Sequence, residues 1–330
     1  MAIGGVGAVL DIIGGGAIGL SIAARLALSG TSVRVWTRTR QQAERIRREG
    51  IAYDTVEEPL QHAVASVDAR HTEGIQDEAD LLVNPARWVL LAVKQTDAAA
   101  AGTIACIRKI ADRGTSVICL QNGIGHMEKL RSACPGIAFL EGVTTEGALR
   151  LDERSVRLTG SGQLWLAEDE GDAHGPERQK MLLELLHKAG IKSLVSKTIK
   201  DQVYAKLLVN AVINPLTALF GVKNGELPQD GTRYRLMRGL YEESIRVLSA
   251  DADYSPAGGE WERILDVCRL TAANTSSMLA DIRAGRPTEI AAINGGIVRL
   301  AQRYEISAPM NEAAVAWITA LEAYGTERGG

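Results

Sequence analysis

An excess of basic charge is missing from this chain. Its 330 residues hold 37 Lys and Arg against 40 Asp and Glu, a formal charge of −3. Without a cationic surplus there is no signature of polyanion binding, and nucleic acid is not an expected partner. Cysteine pairing is missing too. Cys106, Cys119, Cys134 and Cys268 form no CxxC motif, and the five His residues are scattered without metal-ligand spacing, so no metal is expected and the thiols read as reduced and mostly structural. Apolar runs are broken by Gly or by charged residues before a membrane-spanning length. The start, MAIGGVGAV, has neither the basic residues nor the cleavage pattern of a signal peptide, so the expectation is a cytoplasmic protein with no membrane partner. Internal repeats and low-complexity linkers are absent as well.

What is present is apolar material in quantity, 46% of the residues, in a chain comfortable for two cores. Val9 to Ile13 forms a short apolar strand. It runs straight into Gly14-Gly15-Gly16-Ala17-Ile18-Gly19 and then the helical pattern LSIAARLALSG. This is GxGxxG in the strand-turn-helix context that a dinucleotide pyrophosphate requires. Gly14 serves the tight turn, Gly16 the close phosphate approach and Gly19 the packing of helix on strand. Asp11 inserts a charge into the first strand, and the sequence offers no account of it.

A second strand, Ser32 to Trp36, ends in Thr37, Arg38, Thr39 and Arg40, with no acid before Glu44. An acid here would favour NAD, whereas arginine among small hydroxyl residues suits the 2′-phosphate of NADP. The alternative is that both arginines merely solvate the start of the following helix, QQAERIRREG. Residues 51–82 are weakly patterned and predict a strand or two. WVLLAV at Trp88 to Val93 reads as a buried parallel strand with Lys94 at its carboxyl end, where ligands of open α/β sheets bind. Ser116 to Leu120 is a further strand, and it puts Asn122 at the equivalent position, although Asn-Gly also suits a plain turn. A strand near Ile137 to Leu140 follows. VRLTGSGQLWLAE predicts a hairpin closing the sheet, and a helix from Glu177 to Ala189 and a strand from Ser193 to Val195 complete this half.

Beyond Lys197 the pattern becomes helical, which predicts a dinucleotide-binding domain over residues 1–197 and an all-helical domain over 198–330. The first helix carries YAKLLVNAVINPLTAL from Tyr204. Lys206, Asn210 and Asn214 recur every four residues and drift only ~80° in all, at ~100° per residue, so they share one stripe of an otherwise apolar helix. Buried amides and an ammonium are costly unless they face a cleft or a polar ligand. Chance meetings with polar neighbours are the bland alternative. Pro215 predicts a kink or an end to the helix near Asn214. Helices are expected at Arg233 to Ala250, Glu260 to Ala273, Ser276 to Ile282, Thr288 to Tyr304 and Asn311 to Tyr324, with Ser277 an N-cap and Glu289 one turn into its helix. The cluster NTSSMLADIRAGRPTEI, with Ser276, Ser277, Asp281, Arg283 and Glu289, is open to a reading as capping and surface pairing. A cleft between the domains would be the substrate site, and the amphipathic helices offer faces for a homodimer or for packing within the chain.

GGGAIG, AVKQTD, QNGIG, GVTTEGA, KLLVNAVINPLTAL and NTSSMLADIRAGRPTEI occur in the order and approximate spacing of the ketopantoate reductase family, which the chain resembles over nearly its whole length. The resemblance implies an α/β Rossmann-type domain followed by an all-helical domain. It also implies NADPH-dependent reduction of ketopantoate, a 2-oxo acid, to pantoate, a step towards pantothenate and coenzyme A. On it, Lys206 is the general acid, and Glu289 engages substrate and cofactor and orients the lysine. Asn210, Asn214 and Ser277 meet substrate, with Asn274 and Asp281 at further site positions. Lys94 and Asn122 lie beside nicotinamide and substrate, and Arg38 reads the NADP phosphate. Ala291 stands where an acid is common, Tyr204 where Trp is, and Glu146 charges a usually neutral segment. The alternatives are a paralogue that reduces another 2-oxo acid and a non-catalytic NADPH-binding sensor.

Overall fold

In a computed structural model the described residues are 10–56, 63–72, 75 and 85–327. The reading of the N-terminal nine residues, Val9 included, and part of that of residues 51–82 lie outside them. The chain divides into two compact units, Met1–Gln121 with His126–Ile199, and Asn122–Gly125 with Lys200–Gly330.

The elements of the first unit run β1 (Leu10–Ile13), α1 (Ala17–Leu28), β2 (Val33–Thr37), α2 (Arg40–Glu49), β3 (Ile51–Thr55), β4 (Ala63–Ala65), β5 (Asp68–His71), β6 (Trp88–Leu91), α3 (Gln95–Ala98), α4 (Ala101–Ile110), β7 (Ser116–Cys119), α5 (Met127–Ala133), β8 (Ala138–Thr144), β9 (Gly147–Arg150), β10 (Ser155–Gly160), β11 (Leu164–Ala167), α6 (Gly175–Lys188) and β12 (Ser193–Ser196). The main sheet has the order β12-β11-β8-β7-β6-β1-β2-β5. From β5 to β8 every neighbouring pair is parallel. That is the strand order of the doubly wound dinucleotide fold, which puts the chain reversal between β1 and β6. Successive residues of β1 face opposite cores. Leu10 and Ile12 join α1 and α6 on one side, and Ile13 joins Trp36, α4 and α5 on the other.

That alternation accounts for Asp11. It is fully buried on the Ile13 side and lies in register with Arg34 of β2. The guanidinium of Arg34 donates twice to its carboxyl, at 2.6 Å each, and Trp36 Nε1 donates at 2.9 Å. Burial still raises its pKa, against the opposing pull of Arg34 and Trp36. Glu146 is likewise accounted for within this unit. It accepts from Arg25 at 2.6 Å with both side chains nearly buried, and the same guanidinium also donates to the Gly190 carbonyl.

The expected hairpin is not formed. β10 pairs with β3 and β9 in a second sheet of order β4-β3-β10-β9, whereas β11 pairs with β8 and β12 in the main one. The chain changes sheets through Gly160-Ser161-Gly162. A side chain at Gly162 would collide with the backbone of Thr145 and Glu146, and Thr145 N donates to the Gln163 carbonyl at 2.9 Å. These links to the β8–β9 connection take the place of β10–β11 pairing.

The second unit is helical: α7 (Ile199–Phe220), a 3-10 helix (Asn224–Gln229), α8 (Gly231–Leu248), α9 (Glu260–Leu270), α10 (Ser277–Arg283), α11 (Asn294–Arg303) and α12 (Pro309–Glu327). α7 is long and apolar enough to cross a membrane, but Leu207, Leu208, Ala211, Val212 and Leu216 are buried in the core of this unit, as a central helix of a globular domain would be. Of the two outcomes expected at Pro215, an end does not occur: the helix runs on to Phe220. Two further boundaries differ. Ser276, not Ser277, caps α10, accepting from Leu279 N at 3.1 Å and sharing a 2.6 Å bond with Thr217 Oγ1. The helix expected from Thr288 begins only at Asn294, so Glu289 sits in the turn before it. There the Glu289 carbonyl accepts from the Ala292 and Ile293 N–H groups in a single turn, while the Ala291 and Ala292 carbonyls accept from the Arg299 guanidinium and the Ile124 N–H.

Candidate active site

The glycine loop lies at the carboxyl end of β1. Gly14 has φ +125°, and a Cβ there would strike the backbone of Ala92 and Val93 just past β6. A Cβ on Gly19 would collide with the Gly14 carbonyl. Gly16 differs, since a Cβ would meet only the Ala92 carbonyl, at 3.9 Å. It is the N-cap of α1, and no side chain caps that helix. The amides at Ala17 and Ile18 therefore begin a twelve-residue helix whose positive end lacks a protein acceptor from a capping side chain. Such an N-terminus with close backbone access suits a pyrophosphate. Among the described residues no cluster of His, Cys, Asp and Glu is arranged to hold a metal.

Beyond β2, Arg38 extends from the sheet with its side chain 80% exposed, 4.0 Å from Asp97. Arg40 instead runs along α2 to Glu44 at 2.8 Å. Lys94 is half-buried, at the residue that precedes α3. Beside it, Gln121 Nε2 donates to the Leu91 and Val93 carbonyls at 2.8 and 3.0 Å, tying the ends of β6 and β7. Nothing local in the sequence marks Gln121 for this tie.

The second unit brings together three segments far apart in sequence. Lys206 is half-buried on α7 and shares its stripe with half-buried Asn210 and buried Asn214. Burial lowers the Lys206 pKa to about 8, while the charge of Glu289 pulls the other way. Glu289 accepts from Asn122 Nδ2 at 2.8 Å. Asn122 is thus part of the helical unit, carried there by residues 122–125, whose Ile124 N–H bonds to the Ala292 carbonyl at 3.2 Å. An amine with a lowered pKa and a carboxyl held by an amide is a proton-handling arrangement.

The remaining expected residues have mixed surroundings. Ser277 is exposed as the first residue of α10, and Asn274 is exposed. Asp281 is buried and accepts from Arg286 Nε at 3.0 Å, a bracing contact at the end of α10. Tyr204 donates to Asp251 at 2.6 Å, and Lys200 donates to the same carboxyl at 2.8 Å. The buried residues Asn294, Asn311 and Glu243 form a polar chain behind α7. Its one local sign was Pro215, which removes an N–H and so requires that some other donor meet the carbonyl four residues earlier.

Comparisons with known proteins agree along the chain. Residues 11–171 match the family described as ketopantoate reductase PanE/ApbA, and residues 198–322 match its C-terminal domain. A 2-dehydropantoate 2-reductase of Bacillus subtilis is 33% identical over 314 residues, covering 95% of this chain and 97% of that protein. The solved structure of a probable 2-dehydropantoate 2-reductase from Bacillus subtilis has a TM-score of 0.76 at 30% identity, with 95% of this chain and 99% of that chain covered. D-mandelate dehydrogenase, solved with NADH and anilino(oxo)acetate, shares the fold with a TM-score of 0.86 at 22% identity, over 96% of this chain and 99% of that one. On these matches the chain belongs to the ketopantoate reductase PanE/ApbA family.

Proposed function

We propose that the protein reduces 2-dehydropantoate to pantoate with NADPH, with Lys206 as the general acid, on the route to pantothenate and coenzyme A. The observation that carries this reading is Lys206, its pKa brought to about 8 by burial, feeling the charge of a Glu289 carboxyl that Asn122 fixes. The curated relatives named 2-dehydropantoate 2-reductase supply the substrate.

The nicotinamide supplies the hydride when bound. Gly14, Gly16 and Gly19, with the amides of Ala17 and Ile18, would hold the pyrophosphate and Arg38 the 2′-phosphate; Lys94 and, separately, Asn122 would serve the nicotinamide end. As hydride reaches the ketone carbon, negative charge grows on the oxygen, and the Lys206 ammonium stabilises it and donates the proton. The neutral amine then recovers a proton from water. Glu289 keeps the lysine basic enough to be charged at neutral pH and engages the substrate. Asn210, Asn214 and Ser277 offer hydrogen bonds to its oxygens, with Asn274 and Asp281 at the margin of the site.

The test is steady-state oxidation of NADPH by the purified protein with 2-dehydropantoate, beside a panel of other 2-oxo acids and with NADH in parallel. Turnover concentrated on 2-dehydropantoate and NADPH is expected. Turnover confined to another 2-oxo acid would move the substrate, and none with any acid would leave the reductase reading without support.

A further inference from the structure

Pro215 has no N–H, so the carbonyl of Ala211, four residues back in α7, lacks its helical donor. A buried carbonyl without a donor is costly, and Ala211 is fully buried. Asn294 Nδ2 fills the vacancy at 3.0 Å. Its other amide hydrogen goes to Asn311 Oδ1, also at 3.0 Å. Asn311 is oriented in turn by its own Nδ2, which donates to Glu243 Oε1 at 2.8 Å and to Ser244 Oγ at 3.1 Å. Glu243 also accepts from the Met310 and Asn311 amides at 3.0 and 2.7 Å. A carboxyl that only accepts thus fixes the direction of the whole series, from α8 through α12 and α11 to α7. Asn294 Oδ1 is buried with no hydrogen-bond partner, so the side chain serves here through its two donor hydrogens.

We propose that Asn294 is a positioning residue that stands in for the proline's missing N–H. It closes the turn of α7 between Asn210 and Asn214 and ties that turn to the segment carrying Glu289, five residues before it. This rests on the reading of Lys206 and Glu289 as the proton-handling pair, but it can be tested apart from it. The pairing makes an unusual demand. Replacing Pro215 by Ala restores an N–H that can bond Ala211 within the helix, so it should make Asn294 dispensable to that turn.

The experiment is a double-mutant cycle of Asn294→Leu and Pro215→Ala, read by thermal midpoint, by amide exchange over residues 211–218, and by kcat and KM. Asn294→Leu alone should lower the midpoint, speed exchange in that turn and reduce kcat roughly tenfold with little change in KM, as expected for misplacement. Adding Pro215→Ala should recover the exchange protection and kcat and part of the midpoint, the remainder being the loss at Asn311 Oδ1, whose bond from Asn294 the alanine does not replace. Additive losses in the double variant would overturn the pairing, and a lowered midpoint with unchanged kcat would overturn the positioning role. Absence of turnover in the unsubstituted protein would bear on the proposed function alone. The midpoint and exchange cycle would still decide whether Asn294 replaces the proline's donor.

Discussion

Only the protonated form of Lys206 can donate to an oxygen, so on the proposed mechanism its lowered pKa sets the alkaline side of activity. With burial holding it at about 8, kcat/KM for reduction is expected to be level at neutral pH. It should then fall tenfold per unit well above pH 8. A limb that stays near 10 in the pH profile would show that the lysine is not the titrating group. The same shift has a stability sign. The folded value lies below the unfolded one, so the cost of burying the ammonium is present in full below about pH 8 and is relieved as pH rises towards the unfolded value. Lys206→Ala should lower turnover by roughly 10²–10⁴ while NADPH still binds, measured by fluorescence titration. At Arg38, substitution by Ala should weaken NADPH far more than NADH. Equal losses would remove it from phosphate recognition.

At the scale of the element, α7 is held at its start as well as in its middle. Tyr204 and Lys200, on its first turns, both donate to Asp251. Burial opposes ionisation of Asp251, but the bonds from Lys200, Tyr204 and the Asp253 amide together outweigh it and bring the pKa to about 2. The stabilisation is therefore complete above the usual aspartate pKa and fades as pH falls through about 2. Asp251→Asn should cost about 1–3 kcal/mol in urea melts at pH 7 and less at pH 3. A pH-independent difference would assign the loss to packing. The features legible in the sequence are those fixed locally. The glycine loop needs its neighbours at set offsets, and the Lys206 stripe is a matter of helical period. Features that depend on distant partners were not legible. The acceptor role of Asp11 needs Arg34 on another strand, and β10 and β11 resemble a hairpin because the Gly-Ser-Gly between them suits a turn as well as a change of sheet. The turn that carries Glu289 is held in part by the Ile124 N–H at the Ala292 carbonyl, a donor from far earlier in the chain that no local pattern announces.

At the scale of the whole molecule, the helical unit is completed by four residues from the earlier half of the chain, Asn122–Gly125. Gly123 has φ +81°, and a Cβ there would run into the Ala292 carbonyl and side chain. That leaves no room for a substitution without moving either the 122–125 backbone or the turn that carries Glu289. Gly123→Ala combines a strained left-handed backbone with this collision, so a loss of a few kcal/mol in stability is expected, roughly the range for such backbone effects. The location of the damage is more telling than its size. Amide exchange should rise at residues 122–126 and 289–296, within the helical unit, while β1, β6 and β7 keep their protection. kcat should fall with the loss of the Asn122–Glu289 bond. Protection lost evenly across the sheet would mean that these residues belong energetically to the dinucleotide unit. Normal turnover with exchange raised at 289–296 would mean that Glu289 need not be held for proton transfer.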